Sequence, residues 1–319
     1  MRAIIVGHTG QDGTLLCNSL KHKGYKVLGF SRSSVYTNSD ANFNLRPNLT
    51  DEQSIYQLVQ GFQPSEIYYL AAYHTSSERQ QSESLSQNFA LSQSTHVTGL
   101  LYFLCAIKDL LPSCKLFYAS SSLVFSGEDG EVQTELTPLS PQGFYGITKA
   151  QAMYLCQEFR SKFGIFVSVG ILYNHESCLR SHHFLSQKII QAALCIASGS
   201  QEKLMLGDLS VRVDWSYAPD FIKAFQNIIQ LPSSDDFIIS RGEAHSVEEF
   251  VDIVFDYFNL DYTHHVMQDR SLLQRRLLTR VGDCSKLKRV SGWTTSLNFY
   301  DFVRQLVIDS ESLCKTKRL

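Results

Sequence analysis

Three polar side chains in this chain have the types and spacing for proton transfer: Ser121, Tyr145 and Lys149. Tyr145-Gly-Ile-Thr-Lys149 reads Y-x-x-x-K, and on a helix positions i and i+4 share a face. A Lys149 ammonium beside the phenol would favour the ionised form of Tyr145. Tyr145 could then exchange a proton with a substrate hydroxyl while a hydride moves to or from the neighbouring carbon. Ser121, in the run "ASSSLVFSG", would hydrogen-bond the same oxygen. A Y-x-x-x-K spacing is common by chance as two surface residues. Its order after a serine-bearing strand end and a glycine turn gives it weight here.

That turn is Gly7-His8-Thr9-Gly10-Gln11-Asp12-Gly13, a G-x-x-G-x-x-G between the strand-like "RAIIVG" and the helix-like "QDGTLLCNSLKHKG". Glycines there let the backbone approach a pyrophosphate seated on the helix N-terminus. The plain alternative, an ordinary tight turn, does not require that strand-before, helix-after context. The second strand ends in "GFSRSS". Ser31, Arg32 and Ser33 offer a cation and hydroxyls where a carboxylate would repel a 2′-phosphate, so NADP is favoured over NAD. Arg32 as a merely solvated loop residue is the bland reading.

The elements that must position these groups alternate. After "RAIIVG", the runs "YKVLGF", "EIYYLAA", "CKLFYASSS" and "FVSVGILY" read as strands. "DEQSIYQLVQGF", "TGLLYFLCAIKDLL" and "TKAQAMYLCQEFRSKFG" read as the helices between them. After about Asn174 the pattern loosens into the helices "HFLSQKIIQAALCIASG", "DWSYAPDFIKAFQNIIQ", "SVEEFVDIVFDYF" and "NFYDFVRQLVIDSE", with one strand, "DDFIIS". The fold class is α/β: a Rossmann-type doubly wound parallel sheet with a smaller C-terminal α/β substrate lobe. Residues 1–173, plus about 213–240 where the chain returns to the sheet, form the dinucleotide domain. Residues 174–212 and 241–319 form the lobe.

Composition excludes several classes. The 319 residues are 44% hydrophobic, enough for a substantial core, and the net charge of −2 gives no basic surface for nucleic acid. No apolar run is long enough to cross a membrane. The eight cysteines are scattered without C-x-x-C, as free thiols in a reducing compartment, and no metal site is expected. The chain opens straight into a fold element, so a cytoplasmic enzyme is expected.

The segments "GHTGQDGTLL", "KGYKVLGFSRSS", "SEIYYLAA", "YGITKAQA", "GILYNHES", "KLMLGDLSVRVDW", "GEAHSVEEFV" and "VSGW" resemble, nearly end to end, the extended short-chain dehydrogenases/reductases of nucleotide sugars. The nearest resemblance is to the GDP-mannose 4,6-dehydratases. It implies that Thr9, Gly10, Gln11 and Asp12 line the pyrophosphate, and that Asn48 and Leu49 stand beside the adenine. It further implies that Leu70, Ala71 and Ala72 border the cofactor, that His175 and Arg180 contact NADP, and that Ser122, Asn174 and Lys188 face a nucleotide-diphosphate sugar. From sequence alone His175 reads more simply as a satisfied core histidine. Family members pair through two helices per subunit. The resemblance therefore implies a homodimer or homotetramer, with "TGLLYFLCAIKDLL" and "TKAQAMYLCQEFRSKFG" supplying those helices.

The departures decide what chemistry to expect. The dehydratase pattern Ser-Thr-Ser-Glu-Leu-Tyr-Gly reads Ser120-Ser121-Ser122-Leu123-Val124-Phe125-Ser126 here. Serine at 121 keeps the hydroxyl, whereas Leu123 removes the glutamate that serves the elimination of water, a loss worth about 10²–10⁴ in rate. The family arginine before "DW" is Val213, with Arg212 one place earlier. Arg276 falls near a family glutamate and Leu273 near a family arginine, so the nucleotide contacts are rebuilt and the base is not fixed. Three functions follow. The first is an NADP-dependent 4-ketoreductase or 4-epimerase on a GDP-linked or other NDP-linked 4-keto or 6-deoxy hexose. The alternative is a GDP-mannose 4,6-dehydratase with its acid/base relocated, for instance to Glu128, Asp129 or Glu131. The remote alternative is a non-catalytic cofactor-binding sensor, which retention of Tyr145 and Lys149 disfavours.

Overall fold

The structure is a computed structural model that describes residues 1–32, 34–38, 47–73, 84–127, 131–200, 203–272 and 278–317. Its centre is a seven-stranded sheet. In spatial order the strands are Asp236–Ile239, Val167–Leu172, Lys115–Ala119, Glu66–Tyr69, Arg2–Val6, Lys26–Phe30 and Val35–Thr37. Neighbours pair in parallel except the last two. The six strands expected from the sequence all lie in this sheet. Val35–Thr37 is an addition, an antiparallel edge strand whose alternation is too short to stand out.

Alternation along each strand sends side chains to opposite faces. Ile4 and Val6 enter one core cluster and Ala3 and Ile5 the other. Helices cover both faces, as a parallel sheet requires. On one face lie α2 (Glu52–Phe62), α4 (Gly99–Leu110) and α5 (Gly143–Phe163), contributing Leu58, Phe103 and Met153. On the other lie α1 (Gln11–His22) and α7 (Ala218–Ile229), where Phe225 stacks on Phe117 with ring centroids 4.5 Å apart. A short helix not foreseen from the sequence, α3 (Leu85–Gln93), precedes α4 and is joined to it by a π-helical turn, Ser94–Thr98. α5 begins at Gly143 rather than Thr148, so Tyr145 and Lys149 both lie within it.

A third apolar cluster draws on α6 (Leu185–Ala197), α8 (Val247–Tyr257) and α10 (Phe299–Lys317), with Trp215 at its edge. α8 starts on a capping box in which Ser246 accepts from the Glu249 N–H and the Glu249 side chain accepts from the Ser246 N–H. The heptapeptide helix α9 (Ser285–Ser291) leads to Trp293, whose indole donates to the Asp220 carbonyl and ties this region to α7. The eight cysteines form no disulfide. Among the described residues no helix is long and apolar enough to cross a membrane, and no cluster of side chains suits a metal ion.

Candidate active site

The sheet order reverses beside Arg2–Val6, with the second strand on one side and the fourth on the other. Such a switch point opens a crevice at the C-terminal strand ends. A cavity of about 1410 Å³ lies there, walled by segments following the strands that end at Val6, Phe30, Tyr69, Ala119 and Leu172.

The glycine turn forms its floor. Gly7 has φ +92°, and a β-carbon on it would lie 2.9 Å from the Ala71 backbone. A β-carbon on Gly13 would stand 2.3 Å from the Gly7 carbonyl oxygen, so α1 can press against the turn only with glycine there. The α1 N-terminus has no side-chain cap, which leaves its N–H groups turned toward the cavity end. Ser120 Oγ, buried at the cavity wall, has no hydrogen-bond partner. A bare glycine cradle, an uncapped helix end and an orphaned hydroxyl fit a phosphate-bearing dinucleotide.

Asp12, in the first turn of α1, would by itself repel a pyrophosphate. His175 Nε2 meets its two carboxylate oxygens at 3.0 and 2.9 Å, and His175 Nδ1 donates to the Tyr173 carbonyl at 2.7 Å. Burial pushes the Asp12 carboxyl up, but the charge of His175 and their hydrogen bond outweigh it and hold Asp12 below the usual carboxylate range. The same pairing overcomes the downward push of burial on His175 and raises it. The imidazolium neutralises Asp12, stacks on Phe221 at 4.3 Å, and receives further support from Gln11, which donates to the His175 carbonyl. The ring nitrogens of His175 are engaged by protein, as in the plainer reading of a satisfied core histidine.

Ser121, Tyr145 and Lys149 converge on the same cavity. Ser121 caps the short 3-10 turn Ser122–Val124, its Oγ accepting from the Leu123 N–H at 3.2 Å. α5 seats against this turn at Gly146, where a β-carbon would come within 2.4 Å of the Leu123 carbonyl oxygen. The Lys149 ammonium donates to the Ala119 carbonyl at 2.7 Å and sits 5.7 Å from the Tyr145 ring centre.

Here the electrostatics differ from the sequence expectation. Burial pushes the Tyr145 phenol up to about 12, against the lowering effects of its hydrogen bond with Ser121 and the charge of Arg180. Burial also brings Lys149 down to about 7. In the protein alone, burial is the largest influence on both groups and favours the neutral form of each.

Of the other anticipated residues, Arg32, Asn48, Leu49, Leu70, Ala71, Ala72, Ser122, Asn174, Arg180 and Arg212 line the cavity together with Thr9, Gly10 and Gln11. Asn48 braces its own turn by accepting from the Thr50 N–H and hydroxyl. Arg180 lies over the Phe184 ring at 4.0 Å, 3.6 Å from Glu176. Arg212 donates to the Ala244 carbonyl. Lys188 does not line the cavity, whereas Leu185 and Ser186 at the start of α6 do. Ser33, Leu273, Arg276, Glu128 and Asp129 lie outside the described residues. Glu131 is exposed and away from the cavity wall.

Leu123 lines the cavity, half-buried. Asp12, Glu176, Asp208 and Asp214 are the carboxylates among the described lining residues, and each is engaged: Asp12 by His175, Glu176 by the Ser186 hydroxyl, and Asp208 by Ser210 and Arg270. Asp214 accepts three backbone N–H groups, from Arg241, Gly242 and Gly282, yet burial still lifts it to about 6. Sequence reading passed over Asp214, Arg280 and His96. Asp214 had a signal in the "VDW" beside Arg212.

Sheet order, cavity position and glycine turn define a Rossmann-type fold of the extended short-chain dehydrogenase/reductase kind. In keeping with that, dTDP-glucose 4,6-dehydratase from Bacillus anthracis in complex with NAD superposes with a TM-score of 0.81, covering 98% of this chain and 97% of its own at 17% identity. RMD from Pseudomonas aeruginosa complexed with NADPH superposes at 0.80, covering 98% and 99% at 20% identity. At those identities the likeness is one of fold. The family model for GDP-mannose 4,6 dehydratase matches residues 4–306. GDP-mannose 4,6 dehydratase 2 of Arabidopsis thaliana is 32% identical over 340 residues, covering 99% of this chain and 88% of its own. The chain belongs to the GDP-mannose 4,6 dehydratase family. Its relatives bear the name of the dehydratase, which fits that alternative better than the reductase or epimerase expected first.

Proposed function

We propose that this protein binds a nicotinamide dinucleotide on the Gly7–Gly13 turn and exchanges hydride at C4 of a nucleotide-diphosphate hexose. The carrying observation is that the glycine cradle and the Ser121–Tyr145–Lys149 set open into one cavity. When bound, the dinucleotide supplies or accepts the hydride. Tyr145, kept protonated by burial, is ready to give a proton to a carbonyl oxygen under reduction. Ser121, hydrogen-bonded to that phenol, fixes the same oxygen. Lys149, buried below the phenol, contributes its charge when a ligand's oxygens replace lost hydration. Arg32 at the mouth supports NADP over NAD. Residues 1–173 with about 213–240 would be the dinucleotide domain, the remaining segments would close over the sugar, and copies would pair through α4 and α5.

Two completions of the reaction are in play. Family membership supports 4,6-dehydration of GDP-mannose, and on that reading a residue other than Leu123 serves the elimination. The specific observation favouring hydride chemistry without elimination is Leu123 itself, in a cavity whose described carboxylates are all engaged. Incubation with GDP-mannose and catalytic NADP, read by mass spectrometry, separates the two. Loss of one water supports the dehydratase. No loss, with NADPH consumed on a 4-keto-6-deoxy nucleotide sugar, supports the reductase. Neither result, with no dinucleotide bound, overturns the shared reading.

A further inference from the structure

Behind Tyr145 lies a histidine for which neither the glycine turn nor the Ser-Tyr-Lys set accounts. His96 is fully buried, in the π-helical turn between α3 and α4. Such turns widen a helix by one residue and recur at functional sites. Two neighbours of His96, Ser94 and Thr95, line the cavity. The Tyr69 hydroxyl donates to the Thr95 carbonyl at 2.5 Å, pinning the turn to the end of its strand.

The hydrogen bonds of His96 fix its protonation. Its Nε2 lies 2.9 Å from the backbone nitrogen of Tyr73. A backbone N–H can only donate, so Nε2 is bare and the ring is neutral with its proton on Nδ1. That proton goes to Thr148 Oγ1 at 2.8 Å. The Thr148 hydroxyl in turn donates to the Phe144 carbonyl at 2.9 Å, with the Tyr145 carbonyl at 3.2 Å. The edge of one ring meets the face of the other, His96 and Tyr145 standing 5.2 Å apart at 87°. One side chain therefore joins the Leu70–Tyr73 cavity wall to the first turn of α5 and braces the phenol from behind.

We propose that His96, as the neutral Nδ1-protonated tautomer, is a positioning residue that sets Tyr145 against Ser121 and the substrate oxygen. The inference rests on the reading of Tyr145 as the proton donor. The bond to Thr148 fixes the turn from which Tyr145 projects, and the ring edge limits its rotation. A displacement near 1 Å at such a group costs on the order of 10²-fold in rate.

The test uses the full chain. Nitrogen-15 histidine spectra, with His96→Asn identifying the resonance, should show an Nδ1-protonated tautomer whether or not a substrate is known. An Nε2-protonated or doubly protonated ring would overturn the proposal. His96→Phe keeps a ring but loses both hydrogen bonds, and Thr148→Val removes the hydroxyl that accepts from His96 and donates to the Phe144 carbonyl. Each should lower kcat about tenfold or more with substrate KM changed by less than about twofold. Thr148→Ser, which keeps the hydroxyl, should stay within about threefold of the parent. Equal kcat in Thr148→Val and the parent, or a rise confined to KM, would overturn the positioning role. A parent chain that binds no dinucleotide and turns over no nucleotide sugar would sink the reading of Tyr145 instead, while the tautomer spectrum still stands or falls by itself.

Discussion

Gly146→Ala probes the seam between the two halves of the proposed catalytic set. The added β-carbon would lie 2.4 Å from the Leu123 carbonyl oxygen, about 1 Å inside ordinary contact, and 3.2 Å from the Pro141 side chain. The carbonyl belongs to the turn that Ser121 caps, and the glycine follows Tyr145 directly. Relief therefore means that the turn or the first turn of α5 withdraws by about 1 Å, separating Ser121 from Tyr145. Overpacking of this kind destabilises by about 1–3 kcal/mol, and a misplacement of about 1 Å costs on the order of 10²-fold in rate. The measurement is kcat for hydride transfer on the best nucleotide-sugar substrate, beside a thermal melt and dinucleotide affinity. The expected result is a kcat reduced about 100-fold, a modest fall in Tm, and dinucleotide affinity within about threefold, since the glycine turn is untouched. A variant with unaltered kcat and Tm would refute the reasoning, because it would mean that the two segments slide past each other freely.

Four further outcomes are expected. Leu123→Glu should raise water elimination from GDP-mannose by about 10²–10⁴ if the parent lacks only that acid/base, as mass spectrometry of the product would record; no rise would show that more than one residue separates the two chemistries. Arg32→Glu should weaken NADP more than NAD in direct binding, by about tenfold or more for the loss of a charge-assisted contact. His175→Phe should lose stability in a pH-dependent way. Asp12, lowered in the fold, contributes above its unfolded pKa and loses this as pH falls. His175, raised in the fold, contributes below its unfolded pKa and loses this as pH rises. The gap in Tm between parent and variant should therefore be widest between about pH 4 and pH 6.5 and narrow on either side. Lys149→Met should lower kcat by about 10²–10⁴ and remove any limb of the pH–rate profile near 7, the value to which burial brings Lys149.

The sequence by itself determined much that depends on neighbours along the chain. The Gly7–Gly13 turn, the Tyr145–Lys149 spacing and the strand and helix periodicities are local patterns, because backbone sterics and side-chain repeat are set within a few residues. Leu123 was legible in the same way, as a residue out of keeping with its motif. What only the tertiary structure decided came from contacts between residues far apart. Asp12 and His175 are 163 positions apart, and no local pattern says that the histidine will neutralise the carboxylate. His96 and Thr148 are 52 apart, joined across a π-helical turn that periodicity does not reveal. Spacing alone does not set the protonation of Tyr145. The i, i+4 rule brings a lysine near a phenol, but the depth at which both are buried sets which charge survives, and burial is a property of the packed chain.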